Sequence, residues 1–116
     1  MTVNSTTYNS NQHYFSDTFS GEYDTPANQV AVLTPSSGKR LVILSAYCIT
    51  EATSGIIDLR FETTGDTVGK WYPLAGKTTY KVGPIKITGA NDEALSLTSS
   101  TTAGDNYLLL VNYREE

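Results

Sequence analysis

Apolar and polar positions alternate in short blocks along most of this chain, with the period of two that marks extended strands. Ile57, Leu59 and Phe61 alternate with Asp58, Arg60 and Glu62, the pattern of a strand with one buried and one wet face. Residues 40–50 are apolar on both sides: Leu41, Ile43 and Ile49 fall on one face, Val42, Leu44, Ala46 and Cys48 on the other. The closing run from Tyr107 to Tyr113 is of the same kind. Burial on both faces places such strands deep in a sandwich or against another subunit, and the two fit central positions in one sheet.

Weaker blocks fill the intervals. Residues 30–33, 70–74 and 94–99 read as short strands, Pro73 confining the second to an edge or an end. The run from Thr79 to Thr88 is divided by Gly83-Pro84, which predicts a bulge or kink. Turn formers separate the blocks, as in Thr34-Pro35-Ser36-Ser37-Gly38, Thr64-Gly65-Asp66 and Gly89-Ala90-Asn91-Asp92. The sum is seven strands, or eight with a segment around Phe15, and no amphipathic helix. That pattern predicts an all-β fold, an antiparallel, jelly-roll-like β-sandwich.

The first 28 residues break the pattern. They hold Asp17, Glu22 and Asp24 but no Lys or Arg, and are rich in Asn, Ser and Thr. The expected organisation is therefore an extended polar N-terminal arm over residues 1–28 and a β-sandwich domain over 29–116. Within the arm, residues 13–20 read as a short strand or docking segment. Fully extended, the arm reaches about 90 Å at roughly 3.3 Å per residue, enough to cross a neighbouring subunit. Its aromatic residues, Tyr8, Tyr14, Phe15 and Phe19, are the candidate contacts with that neighbour or with an underlying surface. A frayed terminus is the alternative for the first ten residues.

Composition narrows the classes. Apolar residues make up 39% of the 116, below the usual globular share, and Ser and Thr rather than charge fill the shortfall. Thr, Val, Ile and eight Tyr suit half-exposed pleated strands. A net charge of −4 without a Lys/Arg cluster argues against nucleic-acid binding. No apolar run approaches a membrane span. The opening MTVNSTTYNS has neither the basic nor the apolar region of a secretory leader, so none is expected. The single Cys48 cannot form an internal disulfide and reads as a buried thiol.

No constellation for catalysis emerges. His13 is the only histidine and lies in the polar segment, away from any nucleophile motif. Zinc lacks ligands. Asn91-Asp92-Glu93 and Asp105-Asn106 offer oxygen atoms for calcium but lack EF-hand spacing, and turn roles are the simpler reading. Asp58 and Glu62 on one strand face lie about 13 Å apart, too far for a glycosidase pair. The expectation is a non-enzymatic protein with no cofactor and no metal. Trp71, Tyr72 and Tyr80 remain as candidate glycan-stacking or interface aromatics, beside the plainer reading of a core Trp with an edge Tyr.

Several segments together carry a resemblance. Pro35-Ser36-Ser37-Gly38-Lys39-Arg40-Leu41-Val42-Ile43 leads into a long apolar strand, and Gly83-Pro84-Ile85 interrupts a later one. The turn from Gly89 to Glu93 then enters Ala94-Leu95-Ser96-Leu97, and the final strand ends Val111-Asn112-Tyr113. Over residues 29–113 this resembles small β-sandwich virion proteins of tailed bacteriophages, the head decoration or cementing proteins in particular. The resemblance implies a homo-oligomer, often a trimer, seated on the major capsid protein in a virion assembled in the host cytoplasm. It carries no catalytic residues. The rival expectations are a carbohydrate- or receptor-binding module such as a fibre tip, and a tail or baseplate component.

Overall fold

The computed structural model describes residues 16–116, and His13, Tyr8, Tyr14 and Phe15 lie outside them. Among these residues nine strands run in chain order: β1 (Asp17–Tyr23), β2 (Ala27–Leu33), β3 (Leu41–Thr50), β4 (Ile57–Phe61), β5 (Thr67–Trp71), β6 (Thr79–Val82), β7 (Ile87–Thr88), β8 (Leu95–Ser99) and β9 (Tyr107–Glu115). They form two sheets. The first has the order β1-β9-β3-β6, with β7 also on β3, and the second β2-β8-β4-β5. Every pairing is antiparallel. Counting β6 and β7 as one interrupted strand leaves four per sheet, and the chain changes sheet at every step except β4–β5. This is the wrapped, jelly-roll-like sandwich that the turn spacing predicted.

The core lies between the sheets. Leu41, Ile43, Ala46 and Cys48 of β3 and Tyr107, Leu109 and Val111 of β9 face Ile57, Leu59 and Phe61 of β4 and Leu95 and Leu97 of β8. As the sequence suggested, β3 and β9 are central neighbours, paired from Leu41–Glu115 to Thr50–Tyr107. Facing within β3 differs from a simple alternation. A register shift between Ile43 and Ser45 inserts one residue, so Leu41 and Ile43 share the core face with Ala46 and Cys48, while Ile49 turns outward. The interruption at Gly83-Pro84, a cis peptide, lies opposite this bulge. β6 pairs with Ala46–Ile49, β7 with Val42 and Ile43, and between them the Ile85 N–H donates to the Leu44 carbonyl at 2.9 Å.

Two further differences have identifiable causes. The strand expected over 70–74 runs over 67–71. Gly69, which weakens a strand signal, is required there: a Cβ would come 2.7 Å from the ring of Trp71, so glycine leaves room for the indole to fold inward. The expected arm boundary at 28/29 falls inside β2, and residues 17–23 form β1, paired with β9 over its whole length. Its half-buried Phe19 and Tyr23 pack against the core, while Thr18, Ser20 and Glu22 keep the outer face polar. Asp17 pairs with Tyr113, and Arg40 and Glu116 exchange two 2.9 Å backbone bonds. The start of β1 and the end of β9 therefore lie at one end of the first sheet.

Candidate functional site

The outer face of the first sheet follows from strand parity. With Tyr107, Leu109 and Val111 in the core, β9 must turn Leu108, Leu110 and Asn112 outward, and after its bulge β3 turns Ser45, Tyr47 and Ile49 the same way. Register aligns these into cross-strand rows. Glu22, Leu108 and Ile49 form one, and Ser20, Leu110, Tyr47 and Lys81 the next. A third row is polar: the Thr18 hydroxyl donates to Asn112 Oδ1 at 2.8 Å, and Asn112 Nδ2 donates to Ser45 Oγ at 3.0 Å.

The result is an apolar strip of Ile49, Leu108, Leu110 and Tyr47 in a polar frame. Ile49 is 42% exposed, high for an Ile at a central strand position. Lys81 Nζ stands 6.0 Å from the Tyr47 ring centroid, within cation–π range. At the end of the strip a shallow cleft of about 240 Å³ opens between Glu22, Ile49, Glu51, Asn106 and Leu108. Along its lining the Asn106 N–H donates to Glu51 Oε2 at 2.8 Å. Such a surface can bury apolar area against another protein.

The aromatic candidates separate. Trp71 and Tyr80 are 8% and 6% exposed and belong to the core, whereas Tyr72 is 57% exposed. The Tyr80 hydroxyl accepts from the Leu74 N–H at 2.8 Å and donates to the Lys77 carbonyl at 3.0 Å, closing the loop between β5 and β6. The three rings are not gathered on one exposed platform. Phe19 is half-buried on the inner face of β1.

The acidic candidates are occupied with the fold. Asp58 pairs with Arg60, whose Nη2 lies 2.7 Å from Oδ2. Asp92 Oδ1 accepts from the Gly38 N–H at 2.6 Å. Glu93 is buried and ties two turns: its carboxylate accepts from the Ala90 N–H at 2.8 Å and from the N–H groups of Thr63 and Thr64. Burial alone would raise its pKa, but the backbone donors of Ala90, Thr64 and Thr63 together hold it below the ordinary glutamate value. Among the described residues, no group of three His, Cys, Asp or Glu side chains is placed to hold a metal ion. Burial pushes the Cys48 thiol up to about 12, which makes it unreactive.

The role of Glu93 was not visible in the sequence, where Asn-Asp-Glu in a turn reads as solvent-facing. The outward row of β9 was visible, in the unbroken Leu108-Leu109-Leu110.

No protein-family model matches the chain, and no curated protein matches its sequence. The fold does have a counterpart. A chain in the acidic stable capsid structure of Helicobacter pylori bacteriophage KHP30 matches with a TM-score of 0.66 over 90% of this chain and 95% of that chain, at 13% identity. At that identity the likeness is one of fold.

Proposed function

We propose that the protein is a non-enzymatic structural component of a phage virion, and specifically a decoration or cementing protein that bridges neighbouring capsomers of the head. The observation that carries this reading is the whole-chain fold likeness to a chain of a phage capsid structure. Nearly all of both chains is matched, so the likeness is between two chains of similar length. The outward apolar strip of Ile49, Leu108 and Leu110 supports a role in adhesion. The partners in this reading are the major capsid protein and further copies of the chain. The segment ahead of β1, with Tyr8, Tyr14 and Phe15, is assigned to gripping a neighbour, and Phe19 anchors its root.

The direct test is co-sedimentation of the purified full-length protein with heads of the encoding phage assembled without it. Saturable binding and a higher head-disruption temperature are expected. Failure to bind such heads rejects the decoration role. Binding confined to tails moves the protein to the tail or baseplate.

A further inference from the structure

A sheet with open edges must defend them, because unpaired N–H and C=O groups on a flat edge recruit other strands. This sandwich has four edge strands, and three are defended. β2 has two register shifts against β8 and a left-handed Gln29 (φ 51°). β5 has a register shift against β4, carries Lys70, and is followed closely by Pro73. β6 is four residues long, carries Lys81, and ends at Gly83-Pro84. β1 has none of these devices beyond the carboxylates of Asp17 and Glu22. It pairs with β9 in unbroken register over seven residues, contains no Pro, Lys or Arg, and among the described residues has no partner on its other side.

We propose that this edge is a self-association site at which β1 pairs antiparallel with β1 of a second copy about a two-fold axis through Ser20. Ser20 is the midpoint of the strand, so this register alone uses all of it. On the inner side it sets Asp17 opposite Tyr23 and Phe19 opposite Gly21 of the partner subunit. On the outer side Thr18 meets Glu22, and Ser20 meets its own copy. No like charges face each other, although β1 carries two carboxylates. The Phe19–Gly21 pairing is favourable in its own right. The Phe19 ring and the Tyr23 hydroxyl already crowd over Gly21, where a Cβ would come 2.8 and 2.7 Å from them. A second copy adds the same pair of rings beside it and covers their open side.

The other candidate occupant is the chain's own residues 1–15, folded back as a hairpin. The sequence disfavours it: residues 1–20 contain no Gly and no Pro, and His13-Tyr14-Phe15-Ser16 has none of the dipeptides that make a tight hairpin. The two-fold contact extends the first sheets of both protomers into one. It is independent of what the assembly is attached to.

The test uses the purified full chain without capsids, so its outcome is separate from that of head binding. Sedimentation velocity over a concentration series should show reversible pairwise association. Ser20→Lys places two ammonium groups opposite each other at the axis and should raise the dissociation constant about tenfold or more, an effect that shrinks at high salt. Circular dichroism checks that the exposed substitution leaves the fold intact. Ser20→Cys should give a reducible covalent dimer on mild oxidation, while the wild type does not, its one cysteine in the described core being buried. A chain monomeric at every concentration overturns the proposal. So does an oligomer indifferent to Ser20→Lys in which Ser20→Cys fails to cross-link.

Discussion

Ser99 Oγ and Tyr107 Oη, on strands of opposite sheets, lie 2.7 Å apart in a buried hydrogen bond. The bond is one link in a directed chain. The Ala27 N–H donates to Ser99 Oγ at 2.9 Å, and Tyr107 Oη donates to the Thr25 carbonyl at 2.9 Å, which leaves Ser99 as donor to Tyr107. Both sheets and the turn from β1 to β2 are thus tied at one point, beneath the stacked rings of Tyr23 and Tyr107, whose centroids are 5.5 Å apart. Tyr107→Phe keeps the ring but strands the Ser99 hydroxyl and the Thr25 carbonyl. A loss of about 1–3 kcal/mol in urea unfolding is expected, with the amides of residues 23–27 the first to gain hydrogen exchange.

Glu93 makes stability depend on acid. Its folded-state pKa lies below the unfolded value, so its contribution is complete above the ordinary glutamate range and is lost as pH falls through the folded value. Glu93→Gln should cost about 1–3 kcal/mol at neutral pH, by weakening three charge-assisted backbone bonds. The difference between wild type and variant should narrow as pH falls below about 4.5. A constant difference across that range would show that the carboxylate's charge is not what ties the turns.

The Cys48 thiol should not react with a disulfide reagent in the native state at pH 8, and should react fully in denaturant. Burial and the pKa of about 12 both suppress the thiolate. Rapid native labelling would show that β3 opens locally.

Trp71 and Tyr72, adjacent in sequence, should respond oppositely to truncation. Trp71→Ala removes a core ring and is expected to cost about 3–5 kcal/mol. Tyr72→Ala, at an exposed site, should stay within about 0.5 kcal/mol. Glycan binding that Tyr72→Ala abolishes without loss of stability would favour the receptor-binding alternative.

On the outer face of the first sheet, Ile49→Asp should cost about 1 kcal/mol and leave the fold intact, since the side chain is already 42% exposed. Head binding should weaken at least about tenfold if this strip is the adhesive surface. Unchanged binding would assign adhesion to another face.

The strands most legible in the sequence were those whose burial is dictated by composition. β3, β4 and β9 carry enough Leu, Ile and Val that no other placement is available, and Gly83-Pro84 is itself the signal of a bulge or kink that divides β6 from β7. What escaped depended on partners far along the chain. β1 looks like part of a polar arm because its outer face is Thr18, Ser20 and Glu22, and its inner face is interrupted by Gly21. Only the neighbouring β9 makes it a strand. The bulge in β3 exists only in its register with β9, more than sixty residues later, and lies opposite the interruption between β6 and β7, so local alternation alone places Ile49 among the wrong neighbours. Of the candidate aromatics, adjacency on a strand predicts that Trp71 and Tyr72 part company, and the burial of Tyr80 follows from its register opposite Cys48 on the core face.

The pairing of Asp17 with Tyr113 and of Arg40 with Glu116 gives the molecule a direction. Strand β3 runs from Leu41, beside the end of β9, to Ile49 near the far end, roughly 26 Å at about 3.3 Å per residue. A fluorescent or enzymatic tag joined after Glu116 therefore emerges far from the cleft beside Ile49 and Glu51. The start of β1 lies at that same end, so the bulk of such a tag is felt beside the root of the preceding segment while the cleft stays unobstructed.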